Sequence, residues 1–197
     1  MKSIAAALLA GGLFLSFCLP AQANLAEGLA AYRKGDYATA FKEWQPLAAK
    51  GNADAQNNMG VLHEKGQGVE RNFVESVNWY RRAADQGHAQ AQNNVGVMYE
   101  KGLGVKPDAK EAASWYARAA QRGNANAQNN LGVLYVRGRG VPASMAQAYV
   151  WFSLAAARGN PDAASNRDAA DRRLTPEQRE EAQAAVRTWK PKLSEKS

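Results

Sequence analysis

The 197-residue sequence is poor in the residues on which much enzyme chemistry depends: it holds one cysteine and two histidines. A single cysteine excludes an internal disulfide and any cysteine-based zinc site, and His63 and His88 alone leave little for histidine-rich metal binding. No Ser-x-x-Lys occurs, which removes the usual serine beta-lactamase nucleophile. His63-Glu64 opens like a zincin helix, but the second ligand four residues on is Gln67. No metal or cofactor is therefore expected. Long apolar runs are also scarce after the first twenty residues. What is present is a globular balance, 46% apolar with 22% charged, and a formal charge of +7 from 25 basic and 18 acidic residues. That charge permits an acidic partner, a nucleic acid or an anionic surface, and selects none of them.

The start of the chain reads as an address. Met1-Lys2-Ser3 is a short positive segment, Ile4 to Leu19 is apolar, and Pro20-Ala21-Gln22-Ala23 ends in the small-x-small pattern of a signal-peptidase site. The apolar run is about 16 residues, shorter than the roughly 20 a spanning helix needs. Bulky Phe17 before Cys18 argues against lipidation. The expected mature chain begins at Asn24 with a net charge of +6, in the periplasm or outside the cell, with no stable membrane anchor and no nucleic acid as partner.

Self-comparison carries most of the information. Ala53-Asp54-Ala55-Gln56-Asn57-Asn58-Met59-Gly60-Val61 recurs from Ala89 and again from Ala125, an offset of 36 each time. Residues 53–88 and 89–124 share 19 identities in 36 positions. The expected units are 53–88, 89–124 and 125–160, inside a repeat domain from 24 to 190 with atypical end pairs and a flexible tail over 191–197.

Each unit reads as two helices. Ala55, Met59 and Leu62 fall on one helical stripe, and Gly66-x-Gly68, repeated at 102 and 138, stops that helix. These Gly-x-Gly pairs lack the third glycine and preceding strand of a dinucleotide loop and are read as turns. Asn72, Asp108 and Ser144 are N-cap types followed three residues later by Glu75, Glu111 and Gln147, the pattern of a reciprocal capping box, and Asp36 marks the same place one period earlier. Trp79, Trp115 and Trp151, with Tyr80, Tyr116 and Phe152 beside them, face alanines at helical spacing and are expected to be core. Gly60, Gly96 and Gly132 lie inside helices, where only close approach of the paired helix explains them. Gly51, Gly87, Gly123 and Gly159 suit left-handed caps, with a new helix expected just after Asn52, His88, Asn124 and Asn160. Antiparallel neighbours follow. At the end, Asn166-Arg167-Asp168 replaces the Asn-Asn-x-Gly signature, and Thr175-Pro176-x-Gln178 opens a polar, basic helix expected to close the stack against water.

The Ala-x-Ala-Gln-x-x-x-Gly, Lys-Gly-x-Gly-Val and Trp-Tyr-x-x-Ala-Ala-x-x-Gly signatures at this period resemble the Sel-one-like repeat family, relatives of the tetratricopeptide repeats, over about residues 25 to 190. The resemblance implies an all-α, right-handed alpha-alpha superhelix used as a scaffold for protein complexes. It implies no particular partner. Cysteine-rich members linked to beta-lactams staple each repeat with a disulfide, and those cysteines are missing here.

On the first helix of each unit, with 100° per residue, Asp54, Asn57, Val61 and Glu64 cluster away from the Ala55 stripe. Their equivalents are Gln90, Asn93, Val97 and Glu100, then Asn126, Asn129, Val133 and Val136. By resemblance to tetratricopeptide arrays this face lines the inner, concave surface. Asn57, Asn93 and Asn129 are expected to form an amide ladder that pairs with the backbone of an extended peptide, with Val61, Val97 and Val133 beside it. The alternative for the Asn-Asn pairs is that they bond to neighbouring loops or remain solvated. The leading expectation is a non-enzymatic, exported scaffold for a protein or peptide of the cell envelope. Its rivals are peptidoglycan binding by Arg81, Arg82, Arg118, Arg122, Arg137 and Arg139, and a beta-lactamase-like hydrolase by family association.

Overall fold

A computed structural model describes residues 24–192, so the expected signal segment and the last five residues lie outside it. The described residues form ten helices: α1 (Leu25–Arg33), α2 (Tyr37–Ala49), α3 (Ala53–Lys65), α4 (Phe73–Asp85), α5 (Ala89–Lys101), α6 (Ala109–Gln121), α7 (Ala125–Arg137), α8 (Met145–Ala156), α9 (Ala163–Asp171) and α10 (Pro176–Thr188). Odd-numbered helices through α9 are the first members of their pairs. From α1 to α9 each helix packs on the next, which gives a helical solenoid. None is long and apolar enough to cross a membrane.

Local chemistry sets these boundaries. Asn72 Oδ1 accepts from the N–H groups of Val74 and Glu75, Asp108 from those of Lys110 and Glu111, and Ser144 Oγ from that of Gln147. The return bond of the expected capping box is absent at all three; among the described residues only Thr175 and Gln178, at α10, form both halves. Glu75, Glu111 and Gln147 are exposed, so water competes for their side chains. Asp36 accepts from the Thr39 N–H, and hydrogen bonding by the Thr39 side chain and then its backbone holds the Asp36 carboxyl below the usual range. α3, α5 and α7 start after Asn52, His88 and Asn124 as expected, but α9 starts two residues late, because Pro161-Asp162 forms a turn and Asn160 Oδ1 accepts from the Asp162 N–H at 3.2 Å.

Two glycine positions govern how closely the helices approach. A Cβ at Gly96 would stand 2.6 Å from the Tyr116 ring and one at Gly132 2.6 Å from Phe152, so the aromatic of each second helix lies flat on the backbone of its partner. Gly60 meets Tyr80 in the same way, and Gly28, which the repeat pattern did not single out, meets Trp44. The second glycine of each turn has positive φ, 72° at Gly68, and sits against the backbone where the previous second helix begins.

The core is a chain of clusters, one per joint. Tyr80, Tyr116 and Phe152 are buried, and the tryptophans join the clusters that link each unit to the one before: Trp79 packs against the cluster of Met59 and Leu62 with Trp44 and Ala48, and Trp115 belongs to the cluster of Val95 and Met98 with Tyr80 and Ala84. Of the three repeated tryptophans, Trp115 is the buried one. Trp79 and Trp151 are half-buried, which corrects their assignment as full core, and the guanidinium groups of Arg82 and Arg118 cover the Trp79 and Trp115 rings at 4.5 Å. Burial, together with the hydrogen bonds to Glu64 and Glu100, holds the hydroxyls of Tyr80 and Tyr116 well above the usual phenol range.

α10 does not extend the stack. It folds back onto α8, with Ala182, Val186 and Trp189 against Val150 and Leu154, and leaves α9 largely open where a closing helix was expected. The segment after it, expected to be a free tail, begins anchored: the Lys192 N–H donates to Gln121 O at 2.8 Å.

Candidate functional site

The face of the first helices is built from a three-rowed stripe. Asp54, Asn58, Val61 and Lys65 of α3 lie one helical turn apart, as do Gln90, Asn94, Val97 and Lys101 of α5 and Asn126, Asn130, Val133 and Arg137 of α7. Asn57, Asn93 and Asn129 stand beside these stripes, and they are not free. Their exposures are 8%, 5% and 9%, and each amide is used by the following unit. Asn94 Nδ2 donates to Asn57 Oδ1 at 3.1 Å, Asn130 Nδ2 to Asn93 Oδ1 at 3.1 Å, and Asn166 Nδ2 to Asn129 Oδ1 at 2.9 Å. The expected peptide-binding ladder is thus corrected to a ladder inside the stack. A buried amide lacking this partner would lose about 1–3 kcal/mol in desolvation, so the rungs fix register between units.

A second row of bonds runs along the helix starts. Asn124 Nδ2 donates to Gln90 Oε1 at 3.1 Å and Asn160 Nδ2 to Asn126 Oδ1 at 2.9 Å. His88 takes the same place: its Nδ1 accepts from the Ala91 N–H at 2.9 Å, and Nε2 lies 3.1 Å from Asp54 Oδ1, so one imidazole caps its own helix and ties down the previous one. Glu64 and Glu100 each accept a tyrosine hydroxyl, from Tyr80 at 2.6 Å and from Tyr116 at 2.8 Å. All eight polar candidates on this face therefore have partners within the chain, and the valines do not. His63 is half-buried with its ring edge-on to Phe41 at 6.5 Å, the aromatic packing role its position implied.

Val61, Val97 and Val133 form a half-buried row that Leu29, 39% exposed, extends to α1. At its other end, Val133, Val136, Phe152, Ala169 and Ala170 line a largely apolar cavity of about 250 Å³, with Arg137 and Arg173 at its rim. Two replacements open it. Ala170 stands where the earlier units have Leu134, Met98 and Leu62, and Val136 stands where they have Glu100 and Glu64. Leu29 escaped the sequence reading because the opening pair is four residues short of the 36-residue register, and aligning on Gly28 recovers it; Ala170 keeps the register but lies in α9, where the Asn-Asn-x-Gly signature is replaced.

The six arginines of the proposed basic face are not brought together. Arg137 and Arg139 lie at the turn between paired helices, whereas Arg82, Arg118 and Arg122 lie in or just after the last turns of second helices, at the other end of the hairpin. A 13-residue helix separates those ends, roughly 20 Å at 1.5 Å per residue.

This architecture agrees with what the chain matches. The Sel1 repeat model covers residues 53–88, 89–124 and 125–160. The chain belongs to the Sel1 repeat family. A Sel1 repeat protein from Oxalobacter formigenes is 37% identical, superposes with a TM-score of 0.70, and is matched over 73% of this chain and 59% of its own. The protective antigen c5321 of uropathogenic Escherichia coli, which displays an SLR fold, is 27% identical with a TM-score of 0.59, over 85% of this chain and 46% of its own. The chain therefore spans less than two thirds of either relative. Helicobacter pylori cysteine rich protein B, 23% identical with a TM-score of 0.54 over 65% of this chain and 95% of its own, shares the fold. No curated protein matches the chain significantly. Sel1 repeat proteins generally act as protein–protein interaction scaffolds.

Proposed function

We propose that this Sel1 repeat chain is an exported, non-enzymatic scaffold that captures a protein or peptide of the cell envelope along its first-helix face. The observation that carries the reading is the apolar row Leu29–Val61–Val97–Val133 running into the 250 Å³ cavity beneath Val133. An apolar side chain of the partner fills that cavity, while Glu64 and Glu100, half-exposed and already oriented by their tyrosines, accept backbone N–H groups alongside. Asn57, Asn93 and Asn129 support this face from inside the stack, and Gln90 and Asn126 from its edge. The opening segment supplies the export signal; N-terminal sequencing of the protein recovered from the envelope should begin at Asn24.

Filling the cavity from within tests the face. Ala170→Leu restores the side chain of the earlier units, so it should raise the melting temperature and weaken capture of the partner isolated by the wild-type chain from envelope extracts. Ala169→Glu, at an exposed position on the cavity wall, should abolish capture with little change in melting. Undiminished capture by both variants would overturn the assignment.

A further inference from the structure

On the opposite side of the stack, each unit sets one glutamine against the end of the preceding second helix. Gln56 Nε2 donates to Ala48 O, Gln92 Nε2 to Ala84 O and Gln128 Nε2 to Ala120 O, each at 3.0 Å. The amide nitrogen is treated identically three times, but the amide oxygen is not. Gln56 Oε1 accepts from Gln86 Nε2 at 2.6 Å. At the positions equivalent to Gln86 the chain carries Arg122 and Arg158, and the buried Oε1 atoms of Gln92 and Gln128 have no hydrogen-bond partner among the described residues.

The two orphaned oxygens differ in surroundings. Beside Gln128, Arg158 donates to Leu154 O at 3.1 Å, its guanidinium stacks on Trp189 at 4.5 Å, and Pro191 lies over Gly123. Beside Gln92 there is instead a half-open polar pocket of about 270 Å³. Arg118, Arg122 and Lys192 line it against a single carboxylate, Asp85. All three cations are placed by other contacts: Arg118 by the Trp115 ring at 4.5 Å, Arg122 by lying over Gly87, and Lys192 by its backbone bond to Gln121 O at 2.8 Å. None of them has a carboxylate partner among the described residues.

We propose that this pocket binds the free C-terminal carboxylate of a peptide. The carboxylate sits among Arg118, Arg122 and Lys192, where a guanidinium offers paired donors. The last amide N–H of the peptide donates to Gln92 Oε1, in the place that the Gln86 amide occupies one unit earlier. Each half of the recognition needs the other. A bare anion leaves the buried Gln92 oxygen unsatisfied, and a neutral amide leaves the clustered cations without their counter-charge. The pocket lies on the second-helix edge and does not depend on the valine row.

The test is a titration of ¹⁵N-labelled protein with N-acetyl-alanyl-alanine, with the same peptide as its C-terminal amide, and with inorganic phosphate. Saturable shifts at the Gln92 side-chain amide and the Arg122 Nε–H are expected with the free acid, and binding at least tenfold weaker with the amide and with phosphate. Methylating the last peptide nitrogen should cause a similar loss. Arg122→Gln recreates the Gln86 plug, so it should abolish binding without lowering the melting temperature; Lys192→Ala, at an exposed position after α10, should weaken binding severalfold. Absence of saturable shifts, equal binding of acid and amide, phosphate binding as well as the peptide, or undiminished binding by Arg122→Gln would overturn the proposal.

Discussion

The two ends of the array lose opposite halves of the same joint. Between the central units a joint has an amide rung, Asn57–Asn94 or Asn93–Asn130, and a large apolar residue, Met98 or Leu134, filling the space behind it. At the N-terminal end the packing survives without the rung: Leu62 is buried in the cluster with Trp44 and Ala48, while Leu25 and Ala26 stand where the asparagine pair would be. At the C-terminal end the rung survives without the packing: Asn166 still donates to Asn129, but Ala170 leaves the cavity unfilled. Register and burial are thus separable. The directional bonds tell the next helix where to sit, and apolar volume supplies most of the free energy for sitting there. Where only the directional half is kept, the helix docks correctly and leaves room for another molecule.

Converting a central joint into a C-terminal one gives the largest effect: Leu134→Ala should lower stability by about 2–5 kcal/mol in chemical denaturation, through lost burial and the cavity left behind. Converting it into an N-terminal one costs less. Asn93→Ala removes the acceptor for Asn130 and should cost about 1–3 kcal/mol, whereas the exposed Asn126→Ala should stay within about 0.5 kcal/mol of wild type. Repairing the C-terminal joint with Ala170→Leu should gain about 0.5–2 kcal/mol. A modest loss at neutral pH, about 0.5–1.5 kcal/mol, is expected from Tyr116→Phe, because Phe152 already fills the same role opposite Val136. Its pH dependence is more telling. In the folded protein burial and Glu100 hold the Tyr116 hydroxyl in its protonated form above its unfolded value of about 10. The unfolded chain therefore loses that proton first, and the associated stability, complete below about pH 10, falls as pH rises further. Alkaline unfolding monitored by circular dichroism should shift to higher pH in Tyr116→Phe; an unchanged profile would show that the tyrosine does not contribute.

Much of this was legible in the sequence because it repeats. The 36-residue period, the helix starts at Asn72, Asp108 and Ser144, the helical glycines and the turn glycines each correspond to a local steric or hydrogen-bond requirement that recurs three times. The asparagines were harder to place. Helical spacing puts Asn57 opposite Ala55, on the side away from its paired helix, but cannot show that the next unit covers that side, because the distance from Asn57 to Asn94 is set by stacking rather than by the helix. The same limitation applied to the arginines, which share a residue type but occupy opposite ends of the hairpin. Trp79 and Trp115 hold the same place in the repeat and still differ in burial, since each packs partly on the unit before it.

An array whose parts touch only their neighbours would come apart one unit at a time, from either end. The fold-back of α10 onto α8, with Lys192 reaching as far as Gln121, removes that freedom on one side. The strap joins elements that are not adjacent in the stack, so the last units should melt as a block while the first ones fray singly. Amide exchange should therefore be graded along α1 to α4 and nearly uniform from α6 to α8, which gives the repeating chain a direction of unzipping.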